Sequence, residues 1–222
     1  MVDTKAYDLI SARLSARHVS LVAVSKTKPT EDIQALYALG QRDFGENYVQ
    51  ELVTKQPQLP SDIRWHFIGH LQRNKVRFIA PFVHLIHGID SQRLLVTVDK
   101  EAARAGRRID CLLQVHIASE ETKFGMDINE INDLMNSTHG GKSLPNVRVR
   151  GLMGMASFSD DAELVRREFR SLKSLFDSVK ASFFSGDEDF SVLSMGMSAD
   201  HETAIQEGSN MVRIGSLLFG AR

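Results

Sequence analysis

Lys26 is the first residue whose type and position could support covalent chemistry. It follows the apolar run Leu21–Val24 after one serine, where a buried strand would end. A lysine at the edge of a low-dielectric core yields its neutral amine more readily, and a neutral amine condenses with a carbonyl to form a Schiff base. On this segment alone, an ordinary lysine that extends its charged end into solvent is an equally good explanation.

Two segments near the end of the chain could bind an anion. Ser198 follows Gly196 in one of them, and Gly215 and Ser216 follow an apolar run in the other. Glycine lets a ligand approach the backbone closely, while a serine hydroxyl and the N–H groups of a helix start can donate to phosphate. Taken separately, Ser198 is explained as a helix cap and Gly215 as a turn. Together they predict one phosphate-binding corner.

Arg213 lies in the same terminal segment, two residues before Gly215. If its side chain points into the site, it could face the nitrogen of a pyridine ring whose phosphate lies beside Gly215 and Ser216. Arginine is effectively always protonated, so it would keep that nitrogen unprotonated and weaken the ring as an electron sink. Such an arrangement discourages carbanion chemistry.

These residues need a scaffold that brings distant strand ends together. Short apolar segments recur with helix-like stretches between them, which is typical of βα units around a parallel sheet. The predicted strands are Ser20–Val24, Asp43–Phe44, Arg64–Ile68, His84–Ile86, Cys111–His116, Arg148–Met153, Ser191–Ser194 and Val212–Ile214. Eight strands close a (β/α) barrel, whose active sites follow the carboxyl ends of the strands. A doubly wound open sheet is disfavoured because the segment after the first strand, Ser25–Pro29, has no glycine.

The intervening segments predict helices of ordinary length. The predicted ranges are Asp3–Arg17, Glu31–Leu39, Ser91–Ala105 and Ala162–Phe183. Ser91 is a suitable N-cap, and Gly40 and Gly106 are suitable helix ends. We therefore expect an α/β fold: a single (β/α)8 TIM-type barrel over residues 1–222, with an extra N-terminal helix.

Composition limits the classes of partner and compartment. The 222 residues are 42% hydrophobic and 25% charged, with 27 Lys and Arg against 28 Asp and Glu and a formal net charge of −1. This balance favours neither nucleic acid nor a membrane surface. One cysteine, Cys111, and a start without an apolar signal core indicate a cytoplasmic protein. No exposed apolar stripe is evident, so we expect a monomer.

Seven blocks of sequence, in order, resemble the pyridoxal phosphate homeostasis protein family, whose barrel is similar to the N-terminal domain of alanine racemase. The blocks cover nearly the whole chain, and a chance match of all seven is not credible. They are Val22–Lys26, Phe44–Glu51, Trp65–Lys75, Lys123–Met126, Gly151–Met155, Ser194–Asp200 and Val212–Ser216.

The resemblance implies that pyridoxal 5′-phosphate (PLP) is the cofactor and that Lys26 carries it as a Schiff base. It also implies that Ser198, Gly215 and Ser216 bind the phosphate and that Arg213 faces the pyridine nitrogen, the roles that the residues themselves suggest. In addition, it places Asn47 and His66 near the cofactor. The family often has threonine where this chain has Ser216, which retains a hydroxyl.

Other residues could suggest further sites. His66 and His70 are four apart, but a strand followed by Gly69 does not place them on one helical face, so we expect no metal site. Four methionines could either line the cofactor ring or fill the core. They are Met153, Met155, Met195 and Met197.

Three functions from different classes fit these residues. The first is a cofactor-holding protein that buffers PLP or delivers it to PLP-dependent apo-enzymes, without substantial turnover. The second is a racemase-like PLP enzyme, which needs a second acid or base across the ring from Lys26, with His66 or Tyr48 as the candidate. The third is a PLP-free aldolase that uses Lys26 and binds a substrate phosphate instead. The resemblance favours the first.

Overall fold

Eight parallel strands form a closed barrel in the computed structural model, which describes residues 2–118 and 124–220. Lys123, in one of the seven sequence blocks, lies outside the described residues. The strands are β1 (Ser20–Val24), β2 (Asp43–Glu46), β3 (Arg64–Phe67), β4 (Leu85–Ile89), β5 (Ile109–Val115), β6 (Val147–Gly154), β7 (Val192–Ser194) and β8 (Met211–Ile214). Each strand pairs with its neighbours in the sequence, and β8 pairs with β1 through Val22 and Arg213. The predicted barrel is confirmed.

Helices follow the strands around the outside of the barrel. They are α1 (Thr4–Ser15), α2 (Thr30–Ala38), α3 (Val49–Lys55), α4 (Val76–Ile79), α5 (Gln92–Arg104), α6 (Ile128–Ser137), α7 (Ala162–Phe183), α8 (His201–Gln206) and α9 (Ser216–Phe219). The predicted extra helix before β1 is α1. Among the described residues, no helix combines the length and the apolar character needed to cross a membrane.

The helix starts follow from side chains that accept backbone hydrogen bonds. Asp3 accepts from Ala6 at 2.9 Å at the start of α1, and Ser91 accepts from Leu94 at 3.4 Å at the start of α5. Asp127 forms a reciprocal capping box with Glu130 at the start of α6. Such caps satisfy N–H groups that lack a partner within the helix.

Two groups of buried apolar side chains make up the core. The larger one lies between the strands and the surrounding helices, where the apolar stripes of α5 and α7 pack. The smaller one joins side chains from five strands, which can meet only inside the barrel. Its buried members are Val22, Leu85, Leu112, Met153 and Met211. Because side chains alternate along a strand, every second residue faces this interior.

Candidate functional site

Lys26 is held in a tight turn directly after β1. The N–H of Lys28 donates to the carbonyl of Ser25 at 3.1 Å, and Thr27 between them has a φ of +63°. A left-handed conformation is costly for a β-branched residue, and such strain often accompanies functional loops. The N–H of Thr27 donates to Glu51 at 2.6 Å, which fixes this conformation. The half-buried Lys26 therefore has a defined backbone position.

The predicted phosphate corner is formed by two loops that contact each other. Ser198, in the loop after β7, accepts a hydrogen bond on its hydroxyl oxygen from the N–H of Gly215 at 3.2 Å. Beside this contact lies a cavity of about 200 Å³, here called the small cavity. Its lining residues are Val24, Lys26, Thr27, Lys28, Gly215, Ser216 and Gly220. Hydroxyls, backbone N–H groups and lysines thus surround a space suited to an anion.

A second cavity, of about 420 Å³, opens beside the small one and is here called the site cavity. Its lining residues are Val24, Lys26, Asn47, Ile68, Met155, Ala156, Ser157, Phe158, Met197, Ser198, Ala199, Asp200 and Arg213. Val24 and Lys26 line both cavities. The structure therefore brings Lys26, Asn47, Ser198 and Arg213 to one cavity, with Gly215 and Ser216 in the adjoining one.

Arg213 is fixed by three acceptors and is only 4% exposed. Its Nη1 donates to the carbonyl oxygen of Ser194 at 2.9 Å and to the Ser194 hydroxyl at 2.7 Å, and its Nη2 donates to the carbonyl of Gly154 at 3.1 Å. Burial lowers the pKa of Arg213 to about 10. The guanidinium therefore remains charged at neutral pH, next to the site cavity.

Asn47 follows β2 and carries an unsatisfied polar atom. Its Oδ1 is buried and has no hydrogen-bond partner among the described residues. Buried polar atoms are normally paired, because an unpaired one costs free energy. An unpaired amide oxygen on a cavity wall is well placed to bind a polar group of a ligand.

His66 does not line either cavity, although the sequence placed it near the cofactor. It is paired in register with Gly45 and is 1% exposed, with Nε2 3.0 Å from Asp43 Oδ1 and Nδ1 2.9 Å from His87 Nε2. Ile68, two residues further along, reaches the site cavity instead. Since residues two apart face the same side of a strand, His66 lies one layer deeper in the barrel.

His66 and His70 contact different partners. The Nδ1 of His70 lies 3.0 Å from Asp90, and its ring stacks on Phe124 with 4.1 Å between the centroids. Neither contact involves His66.

The four methionines divide between the two predicted roles. Met155 and Met197 line the site cavity, whereas Met153 and Met195 are buried in the core.

A larger cavity of about 490 Å³ lies between α6, α7 and the end of β5. Among the residues that the structure describes, its lining contains no predicted site residue and neither lysine nor arginine.

The sequence reasoning missed a buried charged cluster beneath the site. Lys55 donates from Nζ to Glu46 at 2.8 Å, to Glu51 at 2.6 Å and to the carbonyl of Ser25 at 2.8 Å. Desolvation raises the pKa of the fully buried Glu46, while Lys55 opposes this rise. The signal available in the sequence was Glu46, two residues beyond the predicted strand Asp43–Phe44 and nine residues before Lys55.

Comparisons with known proteins agree with this geometry. A family model described as alanine racemase, N-terminal domain, matches residues 5–222. The pyridoxal phosphate homeostasis protein of Pasteurella multocida is 39% identical over 209 residues, which are 92% of this chain and 87% of that one. The protein of the same name from Aquifex aeolicus is 41% identical over 203 residues, or 91% and 86% of the two chains. The chain belongs to the pyridoxal phosphate homeostasis protein family.

Solved structures of a relative share the whole barrel. PipY from Synechococcus elongatus, solved without PLP, is 35% identical with a TM-score of 0.88, covering 97% of this chain and 99% of that one. The structure of PipY with PLP bound is 34% identical with a TM-score of 0.86 and the same coverage. The family resemblance seen in the sequence is confirmed.

The residues around the site cavity fit a pyridoxal phosphate molecule in chemical type. A lysine amine, a buried arginine, an unpaired amide oxygen and a corner of hydroxyl and N–H groups meet at two adjoining cavities. An aldehyde, a ring nitrogen, a phenolic hydroxyl and a phosphate are, in the same order, the groups that these side chains complement.

Proposed function

We propose that this member of the pyridoxal phosphate homeostasis protein family binds PLP at Lys26 and buffers or delivers it inside the cell, without substantial catalytic turnover. The observation that carries the proposal is the meeting of Lys26, Arg213 and the Ser198–Gly215 pair at two adjoining cavities. A family relative of the same fold has been solved with PLP bound. The curated relatives are named for PLP homeostasis.

Each site residue has a separate role in this proposal. When bound, PLP supplies an aldehyde that a neutral amine can capture and a conjugated ring that absorbs visible light. Lys26 provides the amine at the wall shared by both cavities. Ser198, Gly215 and Ser216 hold the phosphate where the two cavities adjoin, and Asn47 accepts on its buried amide oxygen from the phenolic hydroxyl of the ring. His66 supports the site from below, through contacts in the barrel interior.

Arg213 favours holding the cofactor over using it. Its three acceptors are carbonyl and hydroxyl oxygens, so the guanidinium keeps its proton and can only donate to a ligand. A ring nitrogen that accepts from arginine stays unprotonated and draws electrons from a substrate weakly.

A racemase-like enzyme would need an acid or base across the ring from Lys26. Neither candidate lines the site cavity: His66 is buried a layer deeper, and Tyr48 is 54% exposed outside it. Their positions support the non-catalytic function. A PLP-free aldolase has no observation in its favour, and it would lack a visible chromophore.

The remaining expectations concern the domain, compartment and partners. We propose that residues 1–222 act as one domain, supported by the pairing of β8 with β1 and by a 2.9 Å hydrogen bond from Asp3 to Leu218. The buried free thiol of Cys111 suits a reducing cytoplasm. PLP-dependent apo-enzymes are the proposed recipients, and the protein is proposed to act as a monomer.

The deciding experiment is an absorption spectrum of the purified protein with PLP, before and after borohydride. We expect a visible band that borohydride removes, and peptide mass spectrometry should place the reduced adduct on Lys26. Lys26→Ala should lose the band, whereas Lys28→Ala, which removes the other lysine of the small cavity, should keep it at saturating PLP. Lys28 is a matched control because its Nζ already donates to the carbonyl of Phe219 at 2.9 Å.

Three results would overturn parts of the proposal. A wild-type protein without a band would remove PLP as the ligand, and an adduct on another lysine would remove Lys26 from its role. Steady racemisation or transamination of D- and L-amino acids would show an enzyme. The phosphate corner predicts that Lys26→Ala still binds PLP weakly, which equilibrium dialysis can measure.

A further inference from the structure

Polar side chains form a continuous line through the interior of the barrel, from Arg213 to Asp43. Arg213 Nη1 lies 2.7 Å from Ser194 Oγ, and Ser194 Oγ lies 3.2 Å from His87 Nδ1. His87 Nε2 lies 2.9 Å from His66 Nδ1, and His66 Nε2 lies 3.0 Å from Asp43 Oδ1. The line crosses β8, β7, β4, β3 and β2. It joins the site cavity to the opposite, N-terminal end of the barrel.

Four of the five members of this line are buried, and Asp43 at its end is partly exposed. Ser194 and His87 are fully buried, and His66 and Arg213 are 1% and 4% exposed. Buried polar groups need partners, since each unmet donor or acceptor costs about 1–3 kcal/mol. The four contacts give every member at least one partner within the line. A buried line of this kind is stable only if each contact joins one donor to one acceptor.

The charged groups at the two ends set the direction of the hydrogen bonds. The carboxylate of Asp43 can only accept, because His66 and Arg64 hold its pKa far below its usual range despite burial. The Nε2 of His66 must therefore carry a proton and donate. At the other end, the guanidinium of Arg213 can only donate to Ser194.

One tautomer of each histidine satisfies the whole line. With its proton on Nε2, a neutral His66 accepts on Nδ1 from the Nε2–H of His87. His87 is neutral, since burial, with the nearby charge of Arg213, lowers its pKa well below the usual value. Its Nδ1 then accepts from the hydroxyl of Ser194, whose oxygen accepts from Arg213. Every bond points from Arg213 towards Asp43.

We propose that Ser194, His87, His66 and Asp43 are positioning residues that hold the Arg213 guanidinium through this directed hydrogen-bond line. The proposal rests on the proposed function for the part in which Arg213 faces the cofactor ring. The sequence placed His66 near the cofactor. In this proposal His66 acts on the cofactor indirectly, by helping to position Arg213.

A metal ion is the alternative use of the far end of this line. The side chains of Asp43, His66 and His84 bring potential ligand atoms within 4.8 Å of one another. However, both oxygens of Asp43 accept hydrogen bonds from Arg64, and one of them also lies against His66. Both carboxylate oxygens of Asp43 therefore already accept hydrogen bonds, so the carboxylate does not require a cation. Metal binding is accordingly an outcome of the test.

The first experiment reads the tautomers in the protein without cofactor. Histidine side-chain 15N NMR, assigned with His66→Gln and His87→Gln, should show the proton on Nε2 and a bare Nδ1 in both residues. A proton on Nδ1 of His87, or a doubly protonated His66, would overturn the directed line. Changes in the His66 and His84 resonances on addition of Zn²⁺ alone would also overturn it, in favour of a metal site.

The second experiment tests the effect on Arg213. Ser194→Ala should shift the visible band of bound PLP and speed its dissociation about tenfold, as expected for losing a hydrogen bond to a charged group. Ser194→Thr should restore both because it keeps the hydroxyl. Ser209→Ala is the matched control: Ser209 is also buried, but its hydroxyl donates to a backbone carbonyl, that of Met195 at 2.7 Å, and not to a side chain of the line.

The two proposals can fail separately. If Ser194→Ala matches the wild type in band position and dissociation rate, the positioning role is wrong while PLP binding stands. If the wild type binds no PLP, the proposed function is wrong, and the Arg213 side-chain NMR signals decide the positioning role instead. They should be sharp in the wild type and in Ser194→Thr, and broadened in Ser194→Ala; equal line widths would overturn it.

Discussion

Ser25 donates a 2.7 Å hydrogen bond from its hydroxyl to Glu46, and both residues are fully buried. Each of them directly precedes a residue of the site cavity, Lys26 in one case and Asn47 in the other. Lys55 joins the pair from α3. The ends of β1 and β2 are thus tied together immediately beneath two side chains proposed to bind PLP.

Lys55→Met should destabilise the protein by about 3 kcal/mol, because it leaves a glutamate buried without its cation. The matched control is Lys173→Met in the solvent-exposed pair of Lys173 and Asp177 on α7, which should cost less than about 0.5 kcal/mol. Urea denaturation measures both changes. Equal losses in the two variants would mean that the buried cluster does not brace β1 and β2.

Ser198→Ala should weaken PLP binding about tenfold, because a phosphate contact and the support of the Gly215 N–H are both lost. Binding of pyridoxal, which has the same ring without the phosphate, should change little. Absorbance titrations with both ligands give the comparison, and Ser191→Ala, outside both cavities, is the control. An equal loss of affinity for the two ligands would place Ser198 away from the phosphate.

Most of the barrel could be predicted because its apolar segments and helix caps are local signals. The range Ala162–Phe183 was predicted to the residue, and Ser91 caps α5 as expected. The second strand was predicted too short, as Asp43–Phe44, because Gly45 and Glu46 do not resemble strand residues. Gly45 has little space for a side chain, because an added Cβ would lie 3.0 Å from a methyl carbon of Val22. Glu46 can be buried because Lys55 donates a hydrogen bond to its carboxylate.

The site could be predicted only where chemistry follows from position along a strand. Lys26, Ser198 and Arg213 lie at or near strand carboxyl ends, and the structure brings them to one cavity. The depth of His66 depends on where β3 ends, which the sequence placed one residue late at Ile68. The contact of Ser194 with His87 joins residues that are 107 positions apart, so no local sequence pattern predicts it.

Gly151→Ala should cost about 4 kcal/mol, because both the backbone conformation and the space exclude a side chain. Its φ is +151°, and an added Cβ would lie 1.8 Å from the carbonyl oxygen of Val192 in the neighbouring strand. Gly106→Ala is the control, with a φ of +64° after α5 and open space around it, and should cost about 1 kcal/mol. Urea denaturation that finds equal losses would contradict the close approach of β6 and β7.

His87 should make the stability of the protein fall as the pH drops from 6.5 to 5. Burial, together with repulsion from Arg213, lowers the pKa of His87 well below its usual value, so the folded protein keeps this ring neutral. In the unfolded chain a histidine takes up a proton near pH 6.5. Below that pH the histidine is protonated in the unfolded state but not in the folded state. The free energy of unfolding therefore decreases by about 1.4 kcal/mol for each unit by which the pH falls. Above it both states are neutral and the effect vanishes.

The comparison that isolates this effect is wild type against His87→Gln, since His84 also has a lowered pKa and Glu46 a raised one. Glutamine does not titrate, but its amide can still donate and accept inside the barrel. The wild type should be the more stable protein at pH 7, and its advantage should shrink by about 1.4 kcal/mol for each pH unit below 6.5. Urea denaturation at pH 7, 6 and 5 measures the difference. An advantage that stays constant over this range would show that His87 is protonated in the folded protein, and the hydrogen bond between Ser194 and His87 would then run from His87 to Ser194.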